Sequence, residues 1–226
     1  MGAGQRGKRI REAKRVSRAD DHYYTADPRS ERNLRLIAEE IRGLSLRFMT
    51  DAGVFSKARI DRGTRILLEA LPLDALQRSA PAPLLDLGCG YGPIGIVLAK
   101  LFPGRLVYMV DPNRRAVELA RRNAALNGAR DVAVLEGEGY EPLPPGAALG
   151  AIVTNPPIRA GKRVVWDLVD GAPERLVPGG MFTCVAQTKH GAKSLRAHIE
   201  SVFGNVQELE KEGGYRVLHA VRAGAR

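Results

Sequence analysis

A chain of 226 residues, 44% of them apolar, has material for one well-buried α/β domain with a modest extension, and this composition excludes a wholly disordered polymer. Its formal net charge of +10 favours an acidic partner, nucleic acid first and an anionic membrane second, and says nothing about fold. Two cysteines, Cys89 and Cys184, are too few for a disulfide framework and read as free thiols in a reducing cytoplasm.

The chain opens on a basic tract. Residues 1–18 hold seven Lys/Arg (Arg6, Lys8, Arg9, Arg11, Lys14, Arg15, Arg18) against Glu12. No apolar run interrupts them, so the tract is neither a signal peptide nor a membrane span. Arg6 stands where a myristoylation signal needs Ser or Thr. Residues 1–20 therefore read as a solvated basic tail able to contact nucleic acid. Residues 21–82 read as an extension packing on a core formed by 83–226. Within the extension, Leu34–Ile41 fits a helix. It fits equally one arm of a hairpin turning at Arg42-Gly43 into Leu44, Leu46 and Phe48. Thr64 is expected to cap a helix running to Leu71, stopped by Pro72.

From Pro83 onward, short apolar strands alternate with amphipathic helices. The strands are predicted at Leu84–Leu87, Leu106–Val110, Val132–Leu135, Ala151–Thr154 and Met181–Ala186. Helices are predicted at Arg114–Leu126, which stops at Asn127-Gly128, and at Arg163–Leu176. Pro178-Gly179-Gly180 is expected to form the turn before the next strand. Such alternation implies a mostly parallel sheet covered by helices on both faces, a Rossmann-like α/β architecture. Val206–Leu209 and Tyr215–Val221, around Gly213-Gly214, add a terminal antiparallel hairpin at the sheet edge.

The first strand runs into Asp86-Leu87-Gly88-Cys89-Gly90-Tyr91-Gly92-Pro93-Ile94-Gly95. The glycines permit a tight turn and close approach of a ligand to the backbone, the following helix is expected to present free N–H groups to that ligand, and Pro93 suits an early helical position. Gly90-x-Gly92-x-x-Gly95 alone satisfies the dinucleotide fingerprint, which is weak evidence. Asp86 argues for a different cofactor. A pyrophosphate is repelled by a carboxylate just before the first glycine, whereas S-adenosylmethionine (SAM) carries an ammonium and no phosphate. The second strand ends in Asp111-Pro112-Asn113, where a carboxylate can accept hydrogen bonds from both ribose hydroxyls of either cofactor. The bland alternatives are Asp86 as a turn former and Asp111 as a helix cap.

The fourth core strand ends in Thr154-Asn155-Pro156-Pro157-Ile158. This is a stiff loop at the carboxyl edge of the sheet, where open α/β folds bind ligands. Both prolines lack N–H groups, so the loop offers acceptors and few donors. That suits an exocyclic amine, whose lone pair is delocalised into its ring. The Asn155 side-chain oxygen and the Pro156 carbonyl can accept its two protons, localise the lone pair on nitrogen and aim it at a methyl donor.

Together these residues resemble class I SAM-dependent methyltransferases with an Asn-Pro-Pro motif. The chain is more closely similar to the small-subunit ribosomal RNA guanine-N2 methyltransferase family in its short single-domain form. The added matches are Asp21-His22-Tyr23-Tyr24, Gly53-Val54-Phe55-Ser56 with Asp61-x-Gly63-Thr64, and Asn155-Pro156-Pro157-Ile158-Arg159-Ala160-Gly161-Lys162. The resemblance covers about residues 21–222 and implies a seven-stranded sheet with SAM at its carboxyl edge. It implies Asp86, Gly88, Gly90, Gly92, Asp111 and Pro112 around the cofactor, Gly53–Ser56 near it with Phe55 and Ser56 as binding candidates, and Glu138 or Gly139 near its adenine. It also favours the hairpin over the helix at residues 34–48. The acceptor side is expected at Asn155, Pro156, Pro157 and Ile158. Ile158 departs from the Tyr or Phe that stacks on a flipped base in many such enzymes, and Phe55 is a candidate substitute. Arg159, Lys162 and Arg163 are expected to hold RNA phosphates of ribosomal RNA or a ribosomal subunit.

Other signals are weaker. The histidines (His22, His190, His198, His219) show no metal-ligand spacing, and no P-loop or Gly-x-Ser-x-Gly is present. Lone Trp166 reads as core. The rival functions are a protein-glutamine N5-methyltransferase, whose substrate amide poses the same chemical problem, and an RNA-binding module that retains SAM only for structure. An NAD-dependent oxidoreductase leaves Asp86 and Asn155 unexplained.

Overall fold

The computed structural model describes residues 33–51 and 59–224; the side chain of Arg159 is outside that description. Seven strands form one sheet: β3 (Leu84–Leu87), β4 (Val107–Asp111), β5 (Val132–Glu136), β6 (Leu149–Thr154), β7 (Leu176–Gln187), β8 (Gln207–Glu212) and β9 (Tyr215–Val221). Their spatial order is β5-β4-β3-β6-β7-β9-β8. β3 pairs in parallel with β4 and β6, β4 with β5, and β6 with β7, whereas β9 runs antiparallel to both β7 and β8. The strand order reverses beside β3, which opens a crevice at the carboxyl ends of β3, β4 and β6.

Alternate residues of each central strand feed two cores. Leu84, Met109, Ala151 and Val153 face one side, packed with α1 (Arg62–Ala70), α3 (Pro93–Leu101) and α4 (Arg114–Leu126). Leu85, Leu87, Val110 and Ile152 face the other, packed with α5 (Lys162–Asp170) and α7 (Ala192–Phe203). The strands are buried on both faces, which is why they read as nearly unbroken apolar runs.

The segment that fitted helix or hairpin is a hairpin, β1 (Arg35–Ile41) with β2 (Leu44–Thr50), in its own two-stranded sheet. Its turn places Arg42 at φ 52 and Gly43 at φ 73, the left-handed pair that a two-residue hairpin requires. Arg42 tolerates this because its guanidinium is anchored. Nε donates to the Leu68 carbonyl at 2.9 Å and Nη2 to that of Leu71 at 3.1 Å, so the hairpin turn caps the end of α1. Asn123 of α4 then receives β2 as a strand would. Its Oδ1 accepts from Met49 N at 2.7 Å, and its Nδ2 donates to the carbonyls of Met49 and Tyr91 at 3.0 and 2.8 Å. One buried amide thus ties the hairpin to the glycine-rich turn.

Four local expectations need correction. Asp61, not Thr64, caps α1: its carboxylate accepts from Thr64 N at 3.2 Å, and the helix ends at Ala70. The predicted helix Arg163–Leu176 is two, α5 and α6 (Ala172–Arg175), divided at Gly171, and Leu176 already belongs to β7. A Cβ on Gly171 would lie 2.9 Å from the Tyr140 ring, so only glycine fits. Pro178-Gly179-Gly180 is a bulge inside β7 rather than a turn before it. The register jumps there, yet Gly179 N and Arg222 N keep bonding across to β9's exit at 2.9 and 2.8 Å. Trp166 is not core: it is 37% exposed and stacks on His198 with ring centroids 4.4 Å apart. Cys89 and Cys184 are both buried and free. No helix among the described residues is long and apolar enough to cross a membrane.

Candidate active site

The glycine-rich turn is fixed by the strand beside it. Gly88 N and Cys89 N both donate to the Val110 carbonyl at 2.9 Å, and Gly90 N donates to Asp111 Oδ2 at 2.8 Å. Gly88, Gly90 and Gly92 have φ of 75°, 56° and 98°, conformations that side chains rarely tolerate. At Gly92 a Cβ would also lie 2.6 Å from Met109 Cε.

Asp86 lies beneath this turn, wholly buried. Its Oδ2 accepts from Gly95 N at 2.7 Å, while Oδ1 has no partner among the described residues. Burial pushes its carboxyl up to about 8; the Gly95 N–H draws it down and the neighbouring Asp111 charge adds to the rise. Asp111, 8% exposed, is raised to about 6 by burial, against the pull of the N–H groups of Asn113 and Gly90. Asn113 itself caps α4, accepting from Arg115 N at 2.9 Å and Ala116 N at 3.3 Å, so Asp111 is not the helix cap.

This arrangement discriminates between ligands. A pyrophosphate site needs the free N–H groups of a helix N-terminus. Here Pro93 has none, that of Gly95 is spent on Asp86, and two carboxylates stand behind the turn. The site therefore suits a cationic ligand bearing hydroxyls and rejects a phosphate. The expectation that α3 presents free N–H groups is corrected at Gly95.

A cleft of about 560 Å³ opens beside the turn. Of the expected residues, Gly88, Pro112, Glu138 and Pro157 line it. Gly139, Tyr140, Val164 and Leu168 also line it, and of these only Gly139 was anticipated. Tyr140 donates its hydroxyl to the Leu168 carbonyl at 2.6 Å, tying the loop after β5 to α5 and closing one wall. Nothing in the sequence pairs these two residues.

The Asn-Pro-Pro loop leaves β6 on the other side of β3. Thr154 Oγ1 donates to the Leu87 carbonyl at 2.6 Å, which holds the loop against the glycine turn. Ile158 N donates to the Pro156 carbonyl at 2.8 Å, closing an inverse γ-turn with Pro157 at φ −75°, ψ 73°. Ala160 N goes to the Pro157 carbonyl at 2.8 Å. The loop thus consumes these N–H groups internally, while the Pro156 oxygen keeps a second lone pair. Asn155 is half-buried, and its Nδ2 donates to Asp61 Oδ2 at 3.1 Å and to Thr64 Oγ1 at 2.9 Å. Ile158 packs against the second core, and Lys162 and Arg163 are exposed at the start of α5. Phe55 and Ser56 lie outside the described residues, as do Asp21–Tyr24 and the basic tail.

A family model for the methyltransferase small domain matches residues 45–219. The chain belongs to that family. It is 36% identical over 200 residues to the uncharacterized protein YbxB of Bacillus subtilis (strain 168), covering 88% of this chain and 98% of YbxB. It is also 36% identical to the ribosomal RNA small subunit methyltransferase C of Hahella chejuensis, over 79% of this chain and 50% of that protein. A solved T. thermophilus 16S rRNA N2 methyltransferase (RsmC), in complex with AdoMet and guanosine, superposes with a TM-score of 0.71 at 30% identity, over 84% of this chain and 50% of that one. The chain thus spans about half the length of these two ribosomal RNA methyltransferases. Its seven-stranded sheet with the separate hairpin is the Rossmann-like methyltransferase fold.

Proposed function

We propose that this chain transfers a methyl group from SAM to the exocyclic amine of guanine, N2, in ribosomal RNA, most directly that of the small subunit. SAM supplies a methyl on a sulfonium, an electrophile that needs no acid or metal to activate it. In this reading, Asp111 would accept from the ribose hydroxyls, Pro112 and Glu138 would flank the adenine, and the Asp86 carboxyl, which burial holds up to about 8, would be drawn into its charged form by the ammonium beyond the glycine turn. The orphaned Asp86 oxygen and the carboxylate-blocked start of α3 fit that cation and not a phosphate.

One observation carries the acceptor chemistry. Both donor contacts of the Asn155 amide are engaged by Asp61 and Thr64, so its oxygen is the end left to receive a substrate N–H. That oxygen and the remaining Pro156 lone pair accept hydrogen bonds from the two amine N–H groups. The nitrogen lone pair is then withdrawn from the ring and held toward the cleft that Pro157 lines. Transfer would break the methyl–sulfur bond and leave a neutral thioether, and the methylated, cationic amine would lose one proton to solvent. Arg159, Lys162 and Arg163 follow the loop and supply phosphate contacts, consistent with the chain's +10 charge.

Asn155→Ala tests this reading. SAM affinity by calorimetry should stay within about twofold, while the single-turnover rate of methyl transfer to RNA should fall about 100-fold or more, the scale for losing a positioned hydrogen-bonding group. A variant that keeps most of its rate removes Asn155 from the chemistry.

A further inference from the structure

A side-chain amide has two ends of opposite character and nearly equal shape. Asn155 can serve an amine donor only if its oxygen, and not its NH₂, faces the substrate. Something must therefore decide which end points where. The proline loop itself offers no such selector.

The selector is the start of α1. Asp61 Oδ2 and Thr64 Oγ1 converge on Asn155 Nδ2 at 3.1 and 2.9 Å. A carboxylate oxygen only accepts, so the reversed amide would set oxygen against oxygen at that separation. Asp61 is itself held in several ways. Its Oδ2 also accepts from Thr64 N at 3.2 Å, and its carbonyl accepts from Arg65 N at 2.9 Å. Gly63 leaves room for it: a Cβ there would lie 2.9 Å from Asp61 Oδ2 and 2.7 Å from Tyr215 Cε1. Tyr215 in turn is pinned by Gln187 Nε2, which donates to its hydroxyl at 2.7 Å. The spacing Asp61-x-Gly63-Thr64 is thereby accounted for residue by residue: cap and acceptor, clearance, second acceptor.

We infer that Asp61 is the positioning residue that selects the orientation of the Asn155 amide, oxygen toward the substrate amine, and that Thr64, whose hydroxyl can meet either end, steadies the amide so selected. The oxygen that caps α1 is the same one that orients the loop 94 residues away. This inference rests on the reading of Asn155 as the amine acceptor.

The test uses the full chain with SAM and RNA at saturation under single-turnover conditions, with SAM affinity and urea midpoint measured alongside. Asp61→Ser keeps a good helix cap but presents a hydroxyl, which can meet either end of the Asn155 amide. It should slow transfer about 10–100-fold, the scale of one charged hydrogen bond, with SAM affinity unchanged. Thr64→Val should slow it by about 3–10-fold, the scale of one neutral hydrogen bond, and Thr64→Ser should restore it to within about twofold. In an Asn155→Ala background Asp61→Ser should add nothing, because both act through one amide. A loss of rate that came only from a loosened α1, seen as a lowered urea midpoint, would persist in that background, so the pair of backgrounds separates positioning from folding. The inference is overturned if Asn155→Ala slows transfer but Asp61→Ser and Thr64→Val do not, if Thr64→Ser fails to rescue, or if Asp61→Ser costs as much with Asn155 absent. If Asn155→Ala itself leaves the rate intact, the amine-acceptor reading falls first and this one with it.

Discussion

Asp86 gives the fold a pH dependence that one substitution should remove. Its carboxyl is raised to about 8 in the folded chain, by burial first, whereas an aspartate in an unfolded chain titrates near 4. Between those values the unfolded chain releases a proton that the folded chain keeps. The folded pKa is the higher one, so the stability is fully present below about pH 4 and is lost as pH rises toward about 8. At pH 7 the interval spans about three pH units, or about 4 kcal/mol at ~1.4 kcal/mol per unit. Asp86→Asn abolishes this titration and retains an acceptor for Gly95 N. It also puts an NH₂ where Asp86 Oδ1 has no partner, which costs about 1–3 kcal/mol. The variant without cofactor should therefore be about 1–3 kcal/mol more stable than the parent at pH 7, and less stable than it at pH 4. Urea unfolding of both proteins from pH 4 to 8, compared as a difference, isolates Asp86 from Asp111, whose own raised carboxyl titrates in both. A difference that stays flat with pH, or that disfavours the variant more at pH 8 than at pH 5, refutes the reasoning.

The cofactor should report the same groups. SAM affinity of the parent should rise between pH 6 and 8 as Asp86 and Asp111 ionise, because a cation favours their charged forms; a pH-independent affinity in calorimetry contradicts that. Asp111→Ala should weaken SAM binding about tenfold or more through loss of the ribose acceptor, and unchanged affinity removes Asp111 from the site. Deleting residues 1–18, with their seven Lys/Arg, should weaken RNA binding and flatten its salt dependence by about 0.7–0.9 log units per lost phosphate contact, with SAM affinity unchanged. Parallel salt lines of equal affinity would leave the tail a solvated appendage.

How much of this was legible in the sequence follows from the range of each interaction. α4 was read to the residue because its cap, period and Asn127-Gly128 stop are all local. β3 and its glycine turn were legible for the same reason. The start of α1 was misread by one role: Asp61 and Thr64 are both good caps three residues apart, and only the geometry shows which accepts from which. The break at Gly171 was there to be read in Pro173, which lacks an N–H and suits only the first turn of a new helix; what the sequence hides is the Tyr140 ring, 31 residues earlier, that packs against Gly171. The Asn-Pro-Pro loop is a motif in the sequence, but the groups that the Asn155 amide meets, Asp61 and Thr64, lie 94 and 91 positions away. The Tyr140–Leu168 wall of the cleft is hidden likewise, since pairing across crossover helices leaves no periodic trace.

The central claim is that a guanine N2 in ribosomal RNA receives the methyl group. Its most direct test is incubation of the full chain with isotopically labelled SAM and naked RNA, 30S or 50S subunits lacking the modification. The RNA is then digested to nucleosides and analysed by mass spectrometry. The account predicts label in N2-methylguanosine, carried by RNA and abolished by Asn155→Ala. Label that survives RNase and is lost to protease would place the chain among protein-amide methyltransferases. Label in another nucleoside would overturn the guanine assignment, and SAM binding without transfer to any RNA would contradict the account.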